Sequence, residues 1–118
     1  MPDAAWKAFE RRIAAFVGGK RRGADTRGDS GGKTDVIHDW LAVEVKLLGR
    51  SAHADILKAC RQAETNGEYL QTPVAIVKRK GDPDLDSIVA MRLETWLEWY
   101  GPTRSRSIPP WQDLKKEN

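Results

Sequence analysis

Apolar periodicity along this chain predicts an α/β fold, a mixed central β-sheet flanked by helices. Three observations carry that expectation: a helical apolar stripe at the start, β-branched runs at residues 41–48, 74–77 and 88–93, and a second helical stripe between the first two runs. The 118 residues suit one compact domain, assigned to residues 1–102, followed by a C-terminal tail at residues 103–118.

The first helix is expected over residues 3–17, where Trp6, Phe9, Ile13, Phe16 and Val17 recur at steps of three and four. Asp3 is a suitable N-cap and Gly18-Gly19 a stop. Residues 18–33 hold six of the ten glycines and read as loop, with a short strand near residues 24–27. Residues 34–38 and 41–48 read as two strands joined through Asp39-Trp40. Ser51 can cap a second helix running to about Asn66, with Ile56, Leu57, Ala59, Cys60 and Ala63 inward and Gly67 as its stop. Strands follow at residues 74–77 and 88–93, separated by a charged turn at 78–84. A third helix at residues 94–100 ends at Gly101-Pro102. Trp96, Trp99 and Tyr100 on it serve either core packing or a subunit interface. The tail carries Pro109-Pro110 and is either loose or docked through Trp111, and could serve as an arm on DNA or on a partner subunit.

Composition narrows the functional classes. Cys60 is the single cysteine, which rules out an intramolecular disulfide, disfavours a cysteine-based zinc site and points to the reducing cytoplasm. No apolar run approaches the roughly 18 residues of a membrane span, so no membrane partner is expected. The net charge is +3, and the window 20–33 has the same excess, with Lys20, Arg21, Arg22, Arg27 and Lys33 against Asp25 and Asp29. A basic glycine-rich segment is either a phosphate-contacting surface or a solvated loop. His38 and His53 share no ligand spacing and read as structural or exposed, and Cys60 as a small buried residue.

The chemistry concentrates on the second and third predicted segments. A turn centred on Asp39-Trp40 pairs residues whose numbers sum to 79, so Asp35 faces Glu44 and Val36 faces Val43. Side chains alternate along a strand, which puts Asp35, Glu44 and Lys46 on one face and Val36, Val43, Val45 and Leu47 on the other. Two opposed carboxylates repel unless a cation sits between them. Hard oxygen ligands suit Mg²⁺, with Mn²⁺ as a substitute, and Lys46 would orient a metal-bound water and face a phosphate undergoing in-line displacement. The alternative is a cross-strand salt bridge on a solvated face.

This pattern resembles the motif of the PD-(D/E)XK nuclease superfamily, with Thr34-Asp35 on one strand and Glu44-Val45-Lys46 on the next. Thr34 stands where that motif usually has Pro. Within the superfamily the chain is most similar to archaeal-type Holliday junction resolvases, over nearly its whole length up to about Tyr100. The shared points are Glu10-Arg11, the loop Arg27-Gly28-Asp29-Ser30-Gly31, Asp35, Glu44-Val45-Lys46 and Gln62. The resemblance implies a restriction-endonuclease-like αβββαβ core and a homodimeric, Mg²⁺-dependent endonuclease that nicks four-way DNA junctions symmetrically. It implies a metal site of Glu10 (directly or through water), Asp35, Glu44 and the Val45 carbonyl. It also makes Lys46 the water-positioning residue and puts Gln62 at the edge of the site. Arg11, Ser30 and the cations of the 20–33 window would contact branched DNA, with no small-molecule cofactor. The location implied is the cytoplasm, of a host cell if the source is viral. A restriction-like or phage DNA-processing nuclease of the same superfamily, or a non-catalytic DNA-binding module, are the alternatives.

Overall fold

The computed structural model of the chain describes residues 4–23, 33–50 and 52–102. In chain order the elements are α1 (Ala5–Val17), β1 (Lys20–Arg21), β2 (Val36–Ile37), β3 (Leu41–Leu48), α2 (His53–Asn66), β4 (Thr72–Arg79), β5 (Ile88–Ala90) and α3 (Leu93–Tyr100). They build a mixed five-stranded sheet in the order β1-β2-β3-β4-β5, flanked by the helices. Among the described strands only the β3–β4 pair is parallel, which requires a crossover, and α2 supplies it.

One face of the sheet packs on α1. Phe9, Ile13 and Ala14 meet Val36, Val43, Val45, Val74 and Ile76 there. Ala59 and Cys60 of α2 cover Ala75 and Val77 on the opposite face. The alternation of β3 therefore divides its residues as expected, with Val43 and Val45 toward α1 and Glu44 and Lys46 toward α2. Fully buried Ala59 and Ala63 lack any side chain beyond Cβ, so α2 lies close on the sheet.

Several expected boundaries move. The N-cap of α1 is Ala4, with no side-chain cap, rather than Asp3, which lies outside the described residues. Its inward face holds Phe9, Glu10, Ile13 and Ala14, while Trp6 and Phe16 are exposed, because Glu10 takes an inward position that the apolar pattern does not count. The N-cap of α2 is Ala52, again without a side-chain cap; Ser51 lies outside the described residues. A strand forms at Lys20–Arg21, pairing with Ile37 and Val36; residues 24–27, the expected strand, lie outside the described set, as does the tail 103–118.

The fourth strand is longer than expected and runs through Pro73 and Lys78. Thr72 N–H reaches across to the Trp40 carbonyl of the β3 side, so Pro73, next in the alternation, turns its nitrogen to the opposite edge. There β5 reaches only Ala75 to Val77, so no ladder bond is lost at the proline. Within the expected charged turn, Asp84–Asp86 form a 3₁₀ turn. The fifth strand stops at Ala90, since Arg92 turns to grip Glu64 of α2 through Nε and Nη2.

Gly19 leads into β1 at very close approach to β2. A Cβ there would stand 2.6 Å from the Ile37 carbonyl oxygen and 2.7 Å from Val36 Cγ1. Gly19→Ala is accordingly expected to cost about 2 kcal/mol, the scale of overpacking, read as a lower urea midpoint with unchanged slope.

Candidate active site

Asp35 sits where β2 gives out. Val36 pairs with Val43, the register expected from the turn, but Asp35 leaves the ladder. Its N–H bonds the Val43 carbonyl at 3.1 Å, and its carboxylate Oδ2 accepts the Val45 N–H at 2.9 Å. The side chain thus replaces the strand that would have continued past Val36, and this bond fixes its direction. The N–H and C=O of one strand residue leave on the same edge, so the Val45 carbonyl is directed to the Asp35 side of β3.

Thr34, in the position before Asp35, is buried and braces the turn. Its hydroxyl donates to the Val36 carbonyl at 2.9 Å, and its own carbonyl accepts Arg22 Nε at 2.7 Å. Arg22 N–H bonds the Asp35 carbonyl at 2.9 Å.

Glu44 is 5% exposed, on the β3 face that α2 covers. Burial pushes its carboxyl up to about 7, and the nearby charge of Asp35 adds to the effect; Asn66 and Lys46 oppose it. Burial likewise raises Asp35, against the Val45 N–H and the charge of Lys46. Glu10, 8% exposed on α1, is raised by burial too, against the hydrogen bond from Arg21, and feels both Asp35 and Lys46. Three carboxylates from α1, the β2 entry and β3 therefore share one electrostatic neighbourhood with Lys46 as a common cation. Among the described residues, burial raises all three carboxyls by more than Arg21, Arg22 and Lys46 lower them.

Each residue expected to hold the metal or act in catalysis lies among the described residues. Glu10, Asp35, Glu44 and Lys46 are brought together electrostatically. Among the described residues no three His, Cys, Asp or Glu side chains form a group that could hold one ion, and Glu10 is turned to Arg21, whose Nε donates to Oε1 at 2.8 Å. Gln62 lies on α2 with its Oε1 buried and without a hydrogen-bond partner among the described residues. It lines a groove of about 480 Å³ with Lys58, Arg61 and Asn66. The α2 residue that reaches the carboxylates is Asn66, whose Nδ2 lies 3.5 Å from Glu44 Oε2 and 3.4 Å from the Lys33 carbonyl. Sequence reasoning passed over Asn66 as a helix end; its spacing of one turn from Gln62 is the signal that could have found it.

Comparison with protein-family models, with curated proteins and with solved structures finds no match.

The basic residues divide into two sets. Arg11, Lys20 and Lys33 are exposed. Arg21 and Arg22 are part-buried and committed to Glu10 and Thr34. Arg27 and Ser30 lie outside the described residues. His38 is structural: Nε2 bonds the Val17 carbonyl at 2.8 Å, while Nδ1 accepts the Leu41 N–H at 3.1 Å. Trp99 is buried and Trp96 and Tyr100 are partly exposed, so α3 contributes to the core and to the surface. No helix among the described residues is long and apolar enough to cross a membrane.

Proposed function

We propose that this chain is a Mg²⁺-dependent DNA endonuclease that resolves four-way junctions as a homodimer. The observation that carries the reading is the pair of Asp35, held at the entry to β2 by the Val45 N–H, and Glu44 on β3, with the Val45 carbonyl directed to the Asp35 side and Lys46 on the Glu44 face. Mg²⁺ takes one or two carboxylates and keeps several waters, so this donor set fits it, and the uncompensated burial of the carboxylates is what a divalent cation would offset. When bound, the ion supplies Lewis acidity and a water of lowered pKa. Asp35 is oriented by the Val45 N–H and Glu44 by Asn66, and these two would hold the ion. Lys46 would position the attacking water and face the charge that develops on the phosphoryl oxygens. Arg11, Lys20 and Lys33 contact backbone phosphates, where their charge sets affinity but reads no sequence.

Two nicks in a four-way junction need two sites, which a two-fold dimer provides. Leu93, Trp96, Leu97 and Tyr100 are exposed at steps of three and four along α3, and this apolar helix face is the surface available for the second copy.

The test is cleavage of synthetic four-way junctions and linear duplex with Mg²⁺ or EDTA. Paired symmetric nicks in the junction alone, abolished by EDTA and by Asp35→Ala, are expected. Equal cutting of linear duplex would remove the junction specificity, and no cutting in any divalent metal would remove the nuclease.

A further inference from the structure

Glu10 is held by a partner that a metal ion would have to displace. Arg21 Nε donates to Glu10 Oε1 at 2.8 Å, and the two side chains are only 21% and 11% exposed. The guanidinium also lies 5.8 Å from the centroid of the Trp6 ring, so both ends of the pair are fixed by α1. Arg21 belongs to a two-residue edge strand whose backbone is tied to β2 through Val36, next to Asp35. The guanidinium therefore reaches the acidic cluster from the β1 side while Lys46 reaches it from β3. With Glu10 turned to Arg21, the three carboxylates do not converge as one ligand group.

We propose that Arg21 is a positioning residue of the candidate site, competing with the metal ion for the Glu10 carboxylate. This rests on the metal-dependent reading above and adds a partner exchange to it. Without metal, the Arg21–Glu10 pair compensates one of the buried charges. On loading, Glu10 leaves the guanidinium for the ion or a water on it. Removing Arg21 therefore destabilises the metal-free protein and strengthens metal binding.

The experiment is calorimetric titration of Mn²⁺ into the full chain, wild type and Arg21→Gln, each with and without Glu10→Gln, with thermal melts in EDTA. Arg21→Met, which keeps the aliphatic stem against Trp6, serves as the second variant should the glutamine variant fail to fold. The expected result is Mn²⁺ affinity about tenfold higher on loss of Arg21, within the range of couplings between neighbouring sites. That gain should vanish in the Glu10→Gln background, where a loss of long-range repulsion alone would persist. Wild-type binding with unchanged or weaker affinity in both Arg21 variants overturns the exchange and leaves the metal site standing. A gain that survives Glu10→Gln overturns it as well. No Mn²⁺ binding by any of the proteins overturns both the exchange and the metal-dependent reading.

Discussion

Glu44→Gln is expected to raise the thermal stability of the metal-free protein at pH 8 while lowering junction cleavage at least about 10³-fold. The loss follows from removing one of the two carboxylates proposed to hold the ion, an electrostatic contribution of the size that single stabilising groups make to turnover. The gain follows from burial. Glu44 is 5% exposed and its carboxyl is pushed up to about 7 from an ordinary 4.5. A carboxyl raised in the folded state binds more protons there than in the unfolded chain between those two values. Stability is therefore fully present below about pH 4.5 and falls as pH rises to 7, by about 3 kcal/mol at 1.36 kcal/mol per tenfold. Glutamine has nothing to ionise. Its advantage in EDTA should be about 2 kcal/mol at pH 8, seen as a melting temperature higher by about 8 °C, and should shrink toward zero at pH 5. Mg²⁺ should stabilise the wild type more at pH 8 than at pH 5 and leave Glu44→Gln nearly unmoved. Equal melting temperatures of variant and wild type at pH 8 would mean that the buried charge is already compensated, and the argument for a cation there would fall.

The features legible in the sequence are those set by repetition. The sum of 79 across Asp39-Trp40 required only that the hairpin be tight, and Val36 does pair with Val43. The valine face of β3 and the polar face behind it followed from the period of a strand. Missing were features made by one side chain replacing backbone. Asp35 takes the Val45 N–H and so keeps β2 from starting before Val36, an exchange that no propensity encodes. Glu10 was placed in the cluster by resemblance alone, because a buried glutamate interrupts the apolar stripe of α1. The strand Lys20–Arg21 carries no β signal of its own and exists because Gly19 lets the chain lie against Ile37. Likewise Lys78 and Arg79 read as turn residues, since a lysine in a buried strand is unexpected until its partner is known.

That partner supports the second large expectation. Asp84→Ala should destabilise the protein by about 3 kcal/mol, lowering the melting temperature by about 10 °C at pH 7. Asp84 accepts Lys78 Nζ at 2.9 Å and Arg12 Nε at 2.5 Å, joining α1, β4 and the 3₁₀ turn. The Lys78 side chain is 7% exposed and its ammonium lies 4.7 Å from the centroid of the Phe9 ring. Removing the carboxylate leaves that buried cation with an aromatic face and no counter-charge. Adding Lys78→Met to Asp84→Ala should recover most of the loss, because the cost lies in the orphaned charge rather than in the missing bridge. The hydrogen bonds from Arg12 and Lys78 hold the Asp84 carboxyl down to about 2 from 3.8. The sign is opposite to that at Glu44: the contribution is present above about pH 4 and is lost as pH falls through 2. Arg12 lies two residues beyond Glu10 on α1, so the bridge also fixes how that helix presents Glu10 to the cluster. Asp84→Ala should therefore weaken Mn²⁺ binding by more than Lys78→Met does, since the latter leaves Asp84 and Arg12 paired. Equal Mn²⁺ affinity in the two variants would confine Asp84 to stability alone.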